Sequence, residues 1–139
     1  MAQLQIVFAS KSPSKLAEFW RTALGYSAEP PPPGFETWED FARVNNIPLT
    51  ADDIDSAIDP KDVGPRLLFE RDDPHARGAV HLDINASGRG MSIEEKKRRV
   101  NEAVERLIGA GATKGRVVDR EQEYWVELTD PEGNWFCVQ

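Results

Sequence analysis

One pattern, written twice along the chain, constrains the fold more than any other feature. Near the start, Leu4, Ile6 and Phe8 alternate with Gln5 and Val7, the period of a strand with two unlike faces. Ser12-Pro13 then opens a helix in which Leu16, Phe19, Trp20, Ala23 and Leu24 recur at helical spacing, and Gly25 stands where a left-handed C-cap belongs. The second half repeats the plan. Val80, Leu82 and Ile84 alternate with His81 and Asp83, Ser92-Ile93-Glu94-Glu95 forms a capping box, and a helix burying Val100, Val104, Leu107 and Ile108 stops at Gly111. Strands are expected over 25–29 and 66–70 after the first helix, and over 115–118, 124–129 and 135–138 after the second. The Asp130-Pro131-Glu132-Gly133-Asn134 stretch reverses the chain between the last two. Each helix has a single apolar stripe, so both belong on one face of a mixed sheet. The opposite face then curls into a groove, where any chemistry should sit.

Between the repeats lies a segment of different character. Pro30-Pro31-Pro32-Pro33-Gly34 cannot join a helix or a central strand and reads as a stiff surface connector. From Glu36 to Asp73 there are eleven acids against four bases, so this region carries the whole net charge of −7. Two short helices are expected in it, over 37–43 with Trp38 and Phe41 inward, and near 50–57 with Thr50 and Asp53 as caps. A solvated excursion and a lid over a pocket both fit this composition.

The remaining composition excludes several classes. A net acidic chain argues against duplex DNA, and no apolar run approaches the ~20 residues of a membrane span. The single cysteine, Cys137, rules out a disulfide framework and a CxxC site; His75 and His81 are too few for a three-histidine metal centre. The first residues lack a basic segment followed by an apolar one, so a cytoplasmic protein is expected.

Sorting the strands by face places Gln5, His81, Asp83, Trp125, Glu127, Trp135 and Cys137 toward the groove, with Leu68 and Glu70 together on the strand over 66–70. His81 is the most informative of these. An imidazole amid apolar neighbours and two residues from Asp83 suits a general base or a metal ligand, and equally a histidine satisfied by its surroundings. Glu127 is the candidate acid–base partner. Trp125 and Trp135 could stack a planar ligand or fill the groove; Cys137 reads as a buried, inert thiol and His75 as an exposed loop residue.

The segment Ala17–Tyr26, with its Phe19-Trp20 and Leu24-Gly25-Tyr26, resembles an element of the vicinal oxygen chelate superfamily. Glu105–Ala112 and the closing Asp130–Val138 hairpin resemble two more, as do Pro65–Phe69 and Val80–Asp83, and the order covers nearly the whole chain. The likeness is strongest to the glyoxalase-like branch, which includes glyoxalases, bleomycin-resistance proteins and dioxygenases. It implies an α+β domain of two tandem βαβββ modules, their mixed sheet curled around a central cavity with helices outside. Module one would span 1–73 with a helical insertion over 30–63, and module two 78–139. Enzymes of the superfamily hold a divalent metal at positions that fall here on Gln5, Leu68, His81 and Cys137. Leu68 cannot bind a metal, and a thiolate at Cys137 would favour softer ions such as zinc. Glyoxalase I activity is therefore not expected, and any metal would rest on Gln5, His81 and Cys137.

Three functional classes follow. The first is a metal-free small-molecule binding protein whose ligand, neutral or cationic and partly aromatic, meets Gln5, Trp38, Glu70, His81, Asp83, Trp125, Trp135 and Cys137. The second is a lyase, isomerase or dioxygenase-like enzyme using His81 as base or metal ligand with Glu127 or Asp83 as partner. The third is a protein-interaction module docking through the acidic insertion. A homodimer is compatible with all three.

Overall fold

The computed structural model describes residues 3–48, 50, 52–131 and 133–139. It contains seven strands and three helices, an α+β chain with a mixed, unclosed sheet. The elements are β1 (Gln3–Ser10), α1 (Pro13–Leu24), α2 (Trp38–Val44), β2 (Ile54–Ala57), β3 (Arg66–Arg71), β4 (Val80–Asn85), α3 (Ile93–Gly109), β5 (Thr113–Asp119), β6 (Tyr124–Thr129) and β7 (Trp135–Val138). Two compact units result. The first is Ile6–Val80, and the second joins the residues up to Gln5 with His81–Gln139. No helix among the described residues is long and apolar enough to cross a membrane.

In the first unit, Ala17 of α1 packs with Ala57, Leu67 and Phe69, and Ile6, Phe8, Leu16, Trp20 and Tyr26 close around them. The stack of Phe8 on Phe69, with ring centroids 5.2 Å apart, ties β1 to β3. Pro13 lies at the start of α1 and Gly25, at φ 68°, ends it, as the spacing predicts. Ser12 caps by position only, since its side chain makes no capping bond.

Two expectations fail here. Among the described residues no helix forms near 50–57; β2 takes the place of its second half and pairs antiparallel with β3, Ile54 opposite Glu70 and Ala57 opposite Leu67. The reason is local. Thr50 donates through its amide and hydroxyl to the Asp53 carboxylate, but these bonds close a turn that delivers the chain into the ladder. The strand expected over 25–29 shrinks to one bridge between Ser27 and Ile58. The other insertion helix is present. Thr37 accepts from the Asp40 amide, and α2 runs on from Trp38. Ala51 within the failed helix, and Glu132 within the expected 130–134 turn, lie outside the described residues.

In the second unit, α3 buries Val100, Ala103 and Val104 against Tyr124, Val126, Leu128 and Val138. The capping box is present in half, Ser92 Oγ accepting from the Glu95 amide at 3.2 Å. β4 runs parallel to β7, and β7 and β5 flank β6 antiparallel. Because Tyr124, Val126 and Leu128 face α3, Trp125 and Glu127 are turned to the opposite face, together with Trp135 and Cys137 of β7.

Candidate functional site

Two places concentrate chemistry, one in each unit. In the second, parallel pairing sets Asp83 opposite Cys137, and antiparallel pairing sets Cys137 opposite Glu127. Asp83 is 6% exposed, whereas Leu82 is 44% exposed, so on β4 the polar face is the covered one. Burial of a carboxylate demands partners. Gln5 Nε2 donates to Asp83 Oδ2 at 2.6 Å and Gln139 Nε2 donates to the same oxygen at 3.0 Å. The second oxygen, Oδ1, is buried and makes no hydrogen bond, with His81 Nε2 3.3 Å away. The imidazole stacks on the Trp135 ring at a centroid distance of 3.8 Å. His81, Asp83 and Cys137 each bring one donor atom within 4.8 Å of the others.

Glu127 is not part of that cluster. Two strand spacings, about 10 Å, separate its backbone from that of Asp83, and its carboxylate lies 3.8 Å from Arg116. Trp125 lies under the Arg120 guanidinium, 5.6 Å from the ring centroid. His75 is exposed, as anticipated. Gln139 is the residue that sequence reasoning misses, since a lone amide after an apolar strand carries no pattern.

The first unit holds a hollow of about 300 Å³. Trp38, Phe41, Ala42 and Ile47 line it from α2 and the residues beyond, Ile54 and Asp55 from β2, and Arg66 and Leu68 from β3. Trp38 and Phe41 meet edge to face at 5.7 Å, and the Trp38 indole N–H donates to Glu29 O at 2.9 Å, which fixes the ring. The charged walls are neutralised within the unit. Arg66 donates to the buried Glu29 carboxylate from Nε at 2.8 Å and from Nη2 at 2.5 Å. Arg21 pairs with Asp55 and also donates to Ser56 O. Glu70 lies elsewhere, with Pro48, Asp53, Ile54 and Arg71 around a second, shallower depression. Alternation along β3 could have placed Arg66 beside Leu68 from sequence; buried Glu29 gave no such signal.

A family model for a glyoxalase-like domain matches residues 5–139, and the chain belongs to that family. Comparison with curated proteins finds no match. Among solved structures, the chain is similar to one described as NAD-dependent benzaldehyde dehydrogenase from Legionella pneumophila, with 13% identity, a TM-score of 0.60 and 97% of this chain and 96% of that one covered. At that identity the likeness speaks to the fold alone. A glyoxalase/bleomycin resistance protein/dioxygenase superfamily member from Vibrio splendidus 12B01 matches with 13% identity and a TM-score of 0.46 over 99% of this chain and 97% of that one.

The residues do not fit the metal that the resemblance implies. Of the four positions, Leu68 has no donor atom, is 8% exposed and forms a wall of the hollow. A hard ion such as Mg²⁺ or Mn²⁺ wants several oxygen ligands, which this set does not supply.

Proposed function

We propose that this chain is a glyoxalase-like small-molecule-binding protein that holds its ligand in the hollow of the first unit without a metal ion. The observation that carries this reading is Leu68. A side chain at a position where the superfamily's enzymes chelate a metal is instead part of an apolar wall with Trp38, Phe41, Ala42, Ile47 and Ile54. About 300 Å³ with an aromatic edge and few polar groups suits a small organic ligand. Arg66 and Asp55 already have partners of opposite sign, so the walls do not call for a charged ligand. Glu39 adds an exposed carboxylate and no lysine among the described residues lines the hollow, which favours a neutral or cationic, partly aromatic molecule.

Thermal denaturation of the chelator-treated chain against neutral aromatics and aromatic cations tests this. A ligand at 100 times its Kd raises stability by about 2.7 kcal/mol. The gain should persist in chelator and vanish in Trp38→Ala and Ala42→Phe. Binding that needs added metal, or that survives Ala42→Phe, refutes the reading.

One observation favours a second reading, an enzyme of the lyase or isomerase type. His81 is held between the Trp135 ring and the Asp83 carboxylate, an arrangement that fixes an imidazole for proton transfer. Asp83, rather than Glu127, is its partner in this reading.

A further inference from the structure

We propose that Glu29 sets the charge preference of the hollow: by neutralising Arg66 it bars aromatic anions and leaves neutral and cationic aromatics as ligands. The role presupposes that the hollow is the ligand site. Glu29 reaches three of its walls at once. The carbonyl oxygen accepts from the Trp38 indole at 2.9 Å, and the carboxylate oxygen Oε2 accepts from Ser56 Oγ at 3.1 Å. The same Oε2 accepts from Arg66 Nε at 2.8 Å and from Nη2 at 2.5 Å. Trp38, Ser56 and Arg66 all line the hollow, from α2, β2 and β3 in turn. The backbone holds Glu29 in place. Pro30 confines the residue before it to extended conformations, and the Ser27–Ile58 bridge anchors the segment two residues earlier.

Burial decides which partner of the ion pair a ligand can reach. The Glu29 side chain is 2% exposed and that of Arg66 26%. The guanidinium therefore stands at the wall, and the carboxylate behind it supplies the compensating charge. An aromatic carboxylate entering the hollow has to compete with Glu29 for the same guanidinium, and it also meets the exposed Glu39. Like charges repel more strongly in a partly apolar cavity than in water. Removing the Glu29 charge alone takes that partner from Arg66 and leaves its cation uncompensated. A carboxylate matches the paired donors of a guanidinium, so the ligand's carboxylate then takes the place of the one removed. Hydrogen bonds to a charged group correspond to about 10- to 100-fold in a binding constant. The apolar wall of Phe41, Ala42, Ile47 and Leu68 meets the ring of either ligand alike.

The test titrates the full chain by calorimetry with benzylammonium, benzyl alcohol and benzoate. Wild type should bind benzylammonium at least about 10-fold more tightly than benzoate. Glu29→Gln should shift that ratio at least about 10-fold toward benzoate and change benzyl alcohol, which is uncharged, far less. Glu29→Asp keeps the charge and should keep the wild-type order. Adding Arg66→Met to Glu29→Gln should remove the gain in benzoate binding, because the guanidinium that receives it is gone. If Glu29→Gln fails to fold by circular dichroism, Arg66→Met alone decides: the uncompensated Glu29 charge should move the ratio at least about 10-fold toward benzylammonium. An unchanged ratio in the folded variant, a wild type that prefers benzoate, or a parallel loss of all three probes (the mark of a merely structural role) overturns the proposal. Benzylammonium binding that survives Ala42→Phe overturns the hollow as ligand site instead, whatever the ratio.

Discussion

Filling the hollow of the first unit should stabilise the protein while abolishing ligand binding. Ala42 is 8% exposed and lines the hollow from α2. Ala42→Leu adds three carbons to a space of about 300 Å³, so neither overpacking nor backbone movement is required. At about 0.8 kcal/mol per buried carbon the gain is about 2.4 kcal/mol. Ordering the leucine side chain costs about 0.5–1 kcal/mol, and the change in helix propensity is only a few tenths of a kcal/mol. The net is about 1.5 kcal/mol, a rise in Tm of about 6 °C for a domain of this length. Differential scanning calorimetry reads the stability, and the same variant titrated with a ligand of the wild type reads the binding. A fall in Tm would show that the space is not available, and unchanged affinity would place the ligand elsewhere.

Other outcomes follow from the same geometry. Phe69→Ala removes a fully buried ring from the α1–β3 core and should cost about 3–5 kcal/mol by urea denaturation. Asp83→Ala, which strands two amides, should cost about 3 kcal/mol, more than the exposed Glu121→Ala, which should be near neutral. Hydrogen bonds from Arg98, then Arg99, hold the Glu95 carboxyl at about 2 against an ordinary 4.5. A depressed pKa means that its contribution is complete above the ordinary value and is lost as pH falls toward about 2. Denaturation midpoints of Glu95→Gln should therefore fall less steeply with acid than those of wild type over that interval. Trp38→Phe should keep ligand binding better than Trp38→Ala, because the edge-to-face contact with Phe41 survives while the bond to Glu29 O is lost.

The regular parts of the fold were legible because helix and strand periods leave different marks. α1 and α3 start after the capping residues Ser12 and Ser92 read from sequence, and α2 fills most of the helix expected over 37–43. The faces of β4, β6 and β7 are likewise legible in the alternation, which puts His81, Asp83, Trp125, Glu127, Trp135 and Cys137 together. What failed was short-range ambiguity. Thr50 and Asp53 signal a cap and a turn with the same bonds, and only pairing with β3 shows that a strand follows. Burial was also beyond the pattern. Nothing in the alternation of β4 says that Asp83 would be covered and Leu82 exposed, since that depends on amides from Gln5 and Gln139, far away in the chain. Trp38 and Glu70, grouped with the groove residues from sequence, belong to the first unit, where only Trp38 lines the hollow.

The most direct measurement is a ¹H–¹⁵N spectrum of the chain in excess chelator, titrated with an aromatic cation that stabilises it. The Trp38 indole signal and the amides of Ala42, Ile54 and Leu68 should move together and saturate with no metal present. Signals that stay fixed until Mg²⁺ or Mn²⁺ is restored would contradict the account.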